Sequence, residues 1–206
     1  MSRIVLVRHG ETVWHAENRY AGLSDIELTP KGLQQAEQLA AWARIANLSA
    51  VWSSTLSRAR ITAQAAADAA GVPLQVSERL IELDFGRGEG LTDAEMEEQF
   101  PEERAAFIRD PVAHHLPGGE DPVRAAERGM AALREIAAAW PAGRSLVVAH
   151  NTLIRLMLGS LLGIPLSRYR AVFPRLANGT LTEIELSPQP NGTVALLSFN
   201  APLIPE

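Results

Sequence analysis

IVLVRHGET, residues 4–12, decides how the chain is built. Its first four residues are all apolar, which is the composition of a short strand buried on both faces, and the run ends in Arg8-His9-Gly10. Such a strand belongs to an open α/β sheet, whose ligands collect beyond the carboxyl ends of the strands. Two potentially cationic side chains at that position are unfavourable unless an anion compensates them, and the anion we infer is phosphate. Gly10 permits a sharp turn, and Glu11 to Trp14 is expected to begin a helix whose first free amides point back at the anion.

The same device returns at SLVVAH, residues 145–150, where a β-branched run ends in His150 and leads into a helix from about Thr152 to Leu162, closed by Gly163 and Pro165. Between the two, Thr29-Pro30 reads as an N-cap with proline at the first helical position. Leu33, Ala36, Leu39, Ala40 and Ala43 then give an apolar face to a helix ending near Ala46. Ala50 to Ser53 resembles a second strand, and SSTLSRAR carries it into a helix that stops around Gly71, so Arg58 falls near a helix start. Val72 to Val76 suits an edge strand, and ERLIELDFGRGEG, residues 78–90, a loop that lays side chains over a site.

Residues 91–119 are acidic and weakly helical, interrupted by Pro101, Pro111 and Pro117, and read as a small cap of short helices that sets specificity. Asp121 to Trp140 is a longer helix with Ala126, Met130, Leu133, Ile136 and Ala137 on one face. Leu181 to Leu186 and Val194 to Phe199 form two strands joined by a turn through Pro188, Pro190 and Asn191-Gly192. The alternation predicts a three-layer α/β/α sandwich, with a largely parallel central sheet and a late hairpin, as a single domain over residues 1–206.

Composition sets the outer limits. Of 206 residues, 47% are hydrophobic and 21% charged, an ordinary globular balance, and a net charge of -5 gives no general attraction to nucleic acid or anionic membrane. There is no cysteine, so disulfides and thiolate metal sites are excluded and the cytoplasm is the simplest compartment. No apolar run approaches the roughly 20 residues of a membrane span, and no signal-type segment opens the sequence. The chain is therefore expected to be cytoplasmic, with a small phosphorylated substrate as its partner; a homodimer through an edge strand is compatible with the sequence.

Arg8, His9, Arg58, Glu82 and His150 all follow strands or strand-like runs, so strand ends alone can gather them. Two arginines, two histidines and a carboxylate suit phosphoryl transfer through a covalent histidine intermediate. His9 is the expected nucleophile, kept neutral by neighbouring guanidinium charge. Arg8 and Arg58, with His150 as a further donor, stabilise the transferring oxygens in place of a metal. Glu82 is the candidate general acid for the leaving alkoxide and later the base for water, with Asp84 and Glu89 of the same loop as the other acids that could serve. His114 and His115 lack a third ligand and are assigned to the cap loop, touching substrate at most. Arg155 and Arg175 could extend a basic wall for a second anionic group, although ion pairing is the commoner fate of such residues.

Taken together, RHGET, ENRYAG followed by LTPKG, SSTLSRARITA, LIELDFGRGEG, PGGE and VVAHNTLIR resemble the histidine phosphatase superfamily, the phosphoglycerate mutase-like proteins, over nearly the whole chain. The resemblance implies His9 as the phosphorylated nucleophile, Arg8, Arg58 and His150 as the phosphate pocket, Glu82 as proton donor, and neither metal nor cofactor. The chain departs from the family in three places: His15 replaces asparagine, Asn151 replaces glycine, and Gly88 stands where tryptophan is common. His15 shares hydrogen-bonding capacity with asparagine and is expected either to contact phosphate or to cover the pocket rim, with Asn151 as another phosphate contact. The expected activity is a metal-independent phosphomonoesterase. A phosphoglycerate mutase is the alternative, although such mutases carry a longer segment between acid and second histidine and a paired arginine that this sequence lacks. A phosphoprotein-binding module is a third reading, against which the retention of both His9 and Glu82 argues.

Overall fold

The structure is a computed structural model and describes residues 1–189 and 192–203. Six strands form one sheet: β1 (Ser2–Arg8), β2 (Ala50–Ser53), β3 (Leu74–Val76), β4 (Arg144–Ala149), β5 (Leu181–Leu186) and β6 (Val194–Ala201), in the order β3-β2-β4-β1-β5-β6. The first four strands of that order run parallel, and β5 and β6 complete the sheet antiparallel. The expected late hairpin is thus present as β5 and β6; Pro190 and Asn191 of its turn lie outside the described residues.

The pleat of β1 explains the layers. Successive side chains point to opposite faces, so Val5 and Val7 enter one apolar cluster and Ile4 and Leu6 another. Helices α1 (Pro30–Ala43) and α2 (Ser57–Ala70) cover the first face with small residues such as Ala59, Ala63 and Ala67, and α5 (Pro122–Ala139) and α6 (Asn151–Leu161) cover the second. Each fully buried valine, leucine or isoleucine in these layers contributes about 1.5–3 kcal/mol.

Helix starts follow their caps. Thr29 accepts the Gly32 N–H ahead of α1 and Asp121 accepts that of Val123 ahead of α5, each with proline at the first position; such a cap contributes about 1 kcal/mol. The buried stripe of α1 is Gly32, Ala36, Leu39 and Ala43, so the helix is rotated from the expected face and Leu33 is exposed. The rotation follows from Gly32, whose backbone packs so closely on Gly10 and Glu11 that a Cβ on either glycine would meet the other segment.

α3 (Asp93–Gln99) and α4 (Pro101–Arg109) occupy the region read as a cap, and Pro101 opens α4 instead of interrupting it. Their apolar residues Met96, Phe100 and Phe107 join the same cluster as Ile4 and Leu6. The helix expected after Gly10 is only a single turn at Val13–His15. A last turn of helix, α7 (Tyr169–Val172), precedes β5. Among the described residues no helix is long and apolar enough to cross a membrane.

Candidate active site

Because β1 and β4 are parallel neighbours with Arg8 opposite Ala149, the next residues, His9 and His150, leave the sheet side by side. The His9 N–H donates to the Ala149 carbonyl at 3.1 Å, and the ring centroids are 5.1 Å apart. Both rings are buried, which holds each histidine neutral, well below its ordinary range; after burial, His150, Arg58 and Arg8 push His9 further down, and Arg58, Arg128 and Arg8 do so for His150. Guanidinium charge is therefore a lesser cause than the sequence reading assumed.

Hydrogen bonds assign the protons. His9 Nδ1 lies 2.7 Å from the Gly10 carbonyl, which only accepts, so the ring proton sits on Nδ1 and Nε2 keeps its lone pair, facing the Arg58 Nε–H at 3.2 Å. His150 is arranged the other way round: Nε2 lies 2.7 Å from the Ser54 hydroxyl, while buried Nδ1 has no partner.

Arg8 donates to the Leu176 carbonyl at 2.8 Å, and its second terminal nitrogen is 2.6 Å from His15 Nε2. Burial lowers its pKa to about 10, which leaves it cationic at neutral pH. A guanidinium has no acceptor, so His15 Nε2 accepts from Arg8, while the Thr12 N–H is directed at His15 Nδ1 at 3.0 Å and the Thr12 hydroxyl lies 2.8 Å from the same nitrogen. Burial first, and Arg8 next, take His15 down to about 4. His15 thus spends both ring nitrogens on protein groups and lies at the mouth, its ring 6.1 Å from that of His9.

The expected cradle of free amides is absent. Gly10 N–H donates to the Thr62 hydroxyl, Glu11 N–H to the Gln35 side chain and Val13 N–H to the Glu27 carbonyl, and the Thr12 amide is covered by the His15 ring. Gly10 keeps an ordinary negative φ, so glycine is required there for close approach to α1 and not for a left-handed turn.

Of the candidates Glu82, Asp84 and Glu89, only Glu82 lines the cavity in front of His9. Its Oε1 accepts the N–H groups of Leu83 and Leu153 and its Oε2 that of Thr152, so it caps α6. A carboxylate has about four lone-pair positions, and the one left open is on Oε2. Glu89 instead ties down Leu23 and Ser24, and Asp84 closes a turn on Gly86.

The cavity encloses about 410 Å³. Arg8, His9, His15, Glu82 and Asn151 line it; Asn151 is the half-buried first residue of α6. Arg58 and His150 stand behind His9 and outside the lining, with the terminal nitrogens of Arg58 given to the carbonyls of Ala21, Gly22 and Ser24. No lining residue comes from 91–119, which corrects the expectation that the cap sets specificity: Phe107 instead backs the wall, packing on Tyr20 and beneath Arg170. His114 and His115 are exposed away from the cavity, and Arg175 is exposed while Arg170 lines it. Gly88 leaves no room for a tryptophan, because Leu116 fills the space and Met96 sulfur lies 3.1 Å from where a Cβ would stand.

Residues 170–178 were missed in the sequence. They deliver Arg170, Pro174, the Leu176 carbonyl and Asn178, whose amide donates to the His9 carbonyl at 2.7 Å. The only signal was the polar Ala-Asn-Gly run ahead of β5, which reads as an ordinary turn. Ser54 was quoted within a motif, but nothing in its spacing announces a contact to His150.

Residues 4–199 match the histidine phosphatase superfamily (branch 1), and the chain belongs to that family. It is 33% identical over 190 residues to the probable phosphoglycerate mutase GpmB of Enterobacter sp. (strain 638), covering 92% of this chain and 87% of the relative. Among solved structures, Bacillus stearothermophilus YhfR superposes with a TM-score of 0.90 at 27% identity over 98% of each chain. A mycobacterial glucosyl-3-phosphoglycerate phosphatase, solved in complex with VO3, superposes with a TM-score of 0.88 at 28% identity, over 97% of this chain and 99% of the other. The functional names among these relatives are phosphatase and mutase, which puts the chain among enzymes that handle phosphoryl groups.

Proposed function

We propose that the protein is a metal-independent phosphomonoesterase that hydrolyses small phosphorylated metabolites through a phosphohistidine on His9. The observation that carries this reading is the state of His9: neutral, with its proton held by the Gly10 carbonyl and its Nε2 unprotonated and facing the Arg58 Nε–H, in a cavity that Glu82 shares.

In the first step Nε2 attacks phosphorus, the bond from phosphorus to the ester oxygen breaks, and the open position on Glu82 Oε2 delivers a proton to the leaving alkoxide. The Nδ1–H bond to Gly10 supports the positive charge that the ring acquires. Arg8, the Arg58 Nε–H turned from the His9 lone pair to a phosphoryl oxygen, and the orphan Nδ1–H of His150 hold the spreading negative charge. In the second step water gives a proton to Glu82 and attacks the phosphohistidine, releasing inorganic phosphate and restoring both residues. Asn151, whose side chain makes no hydrogen bond among the described residues, is assigned to the incoming phosphate. His15 acts through Arg8 by fixing its guanidinium.

A mutase reading is kept because a relative carries that name; it differs only in returning the phosphoryl group to a second hydroxyl. Phosphate release from a panel of phosphomonoesters in chelator, run beside a coupled mutase assay on 3-phosphoglycerate, separates the two. Release without isomerisation is expected. Efficient isomerisation would establish the mutase, and release that stops in chelator and returns with added metal would contradict metal independence.

A further inference from the structure

We propose that the cavity contains a second anion subsite, built from Arg155 and Arg170, so that the preferred substrate is a phosphomonoester carrying a further carboxylate or phosphate group. The proposal deepens the hydrolase reading and rests on the His9 end of the cavity being the phosphoryl site.

Arg155 lies four residues after Asn151 on α6 and so projects from the same helix face. Its exposure is only 8%, its Nε has no hydrogen-bond partner, and its guanidinium stacks 5.0 Å over the Tyr169 ring while lining the cavity. Arg170 lines the cavity beside it, 4.5 Å over the Phe107 ring, with its Nε–H donated to the Tyr169 hydroxyl at 2.9 Å. Among the described residues neither has a carboxylate partner in an ion pair.

Arg19 supplies the contrast. It lines the same cavity but is neutralised by Glu17 and Glu95, 2.8 and 2.7 Å away. Among the described residues the single carboxylate on the lining is Glu82, which already accepts three backbone N–H groups. A guanidinium buried beside aromatic rings without a counter-ion is costly to keep unless a ligand supplies the charge. Its planar fork matches a carboxylate or a phosphate bidentately. Asn151 and Arg155 are separated by about 6 Å along the helix axis, so the two anionic groups of the substrate are joined by several bonds.

The test is calorimetric binding to the full chain of phosphonates, which cannot be hydrolysed. Propylphosphonate, 3-phosphonopropanoate and propane-1,3-bisphosphonate form one series, and their five-carbon counterparts a second that guards against a spacer of the wrong length. At one length or the other, a doubly anionic ligand is expected to bind at least tenfold more tightly than the alkylphosphonate; which end group gains more identifies carboxylate or phosphate. Arg155→Gln and, independently, Arg170→Gln should each reduce that ratio severalfold, whereas a merely structural loss weakens all ligands together and leaves it unchanged. Equal affinities at both lengths, a ratio that survives in both variants, or no binding at all would overturn the subsite. The expected ratios without turnover of any phosphomonoester would break the hydrolase reading and leave the subsite standing.

Discussion

His9 and His150 occupy matching places at the ends of adjacent parallel strands, both buried and both neutral, yet their hydrogen bonds give them opposite capacities. A carbonyl fixes the proton of His9 on Nδ1 and leaves a bare Nε2; a hydroxyl engages Nε2 of His150 and leaves Nδ1 unpaired. In the proposed mechanism one ring attacks and the other donates. Strand position gathers the pair, but the role of each is set by a single partner, Gly10 or Ser54.

The sharpest break of this comparison is His9→Ala, expected to lower kcat by on the order of 10⁴-fold or more with the fold intact by circular dichroism, because His15 Nε2 is held by Arg8 and His150 Nε2 by Ser54, so neither replaces the nucleophile. His150→Ala should cost less, about 10²–10³-fold, the loss of one transition-state donor, while a phosphoenzyme still forms. Equal losses in the two variants would erase the distinction.

Glu82→Gln tests the group that serves the leaving side. Turnover of alkyl phosphates should fall by about 10²-fold or more, and that of nitrophenyl phosphate much less, since a good leaving group needs little protonation. A uniform loss would point to another acid. Ser54→Ala, which removes the partner of His150 Nε2, is expected to cost about tenfold in kcat, the scale of one hydrogen bond to a neutral group; an unchanged kcat would show that the ring is oriented without Ser54.

The smallest effect concerns His15. Its pKa is about 4 in the folded protein against an ordinary value of 6.5, so between those values the unfolded chain binds a proton that the folded chain refuses, and stability falls as pH drops through that window. His9 and His150 act in the same direction. Melting temperatures from pH 7 to pH 4 should therefore decline, with a shallower slope in His15→Asn; parallel curves would mean that His15 is not held neutral.

The strand ends were legible in the sequence because a buried parallel strand is a short apolar run whose end is marked by the first residue that cannot be buried without a partner. Arg8, His9 and His150 were found in this way, and Arg58 by its place at a helix start. Glu82 was separable from Asp84 and Glu89 only through family resemblance, since nothing in a loop sequence tells which carboxylate meets the α6 amides. The direction of His15, the return of residues 170–178 beneath Arg8 and the substitution of Arg170 for Arg175 on the wall depend on chain path and side-chain rotation, which periodicity does not encode. The cap was read as the source of specificity for a related reason: its pattern shows short helices but not which way their side chains face, and its aromatic side packs behind the cavity.

The most direct test is to quench the enzyme during turnover under alkaline conditions, which preserve phosphohistidine, and to locate the phosphoryl group by tandem mass spectrometry. The account predicts it on His9. A phosphoryl group on His150, or turnover with no phosphoenzyme at any quench time, would contradict it.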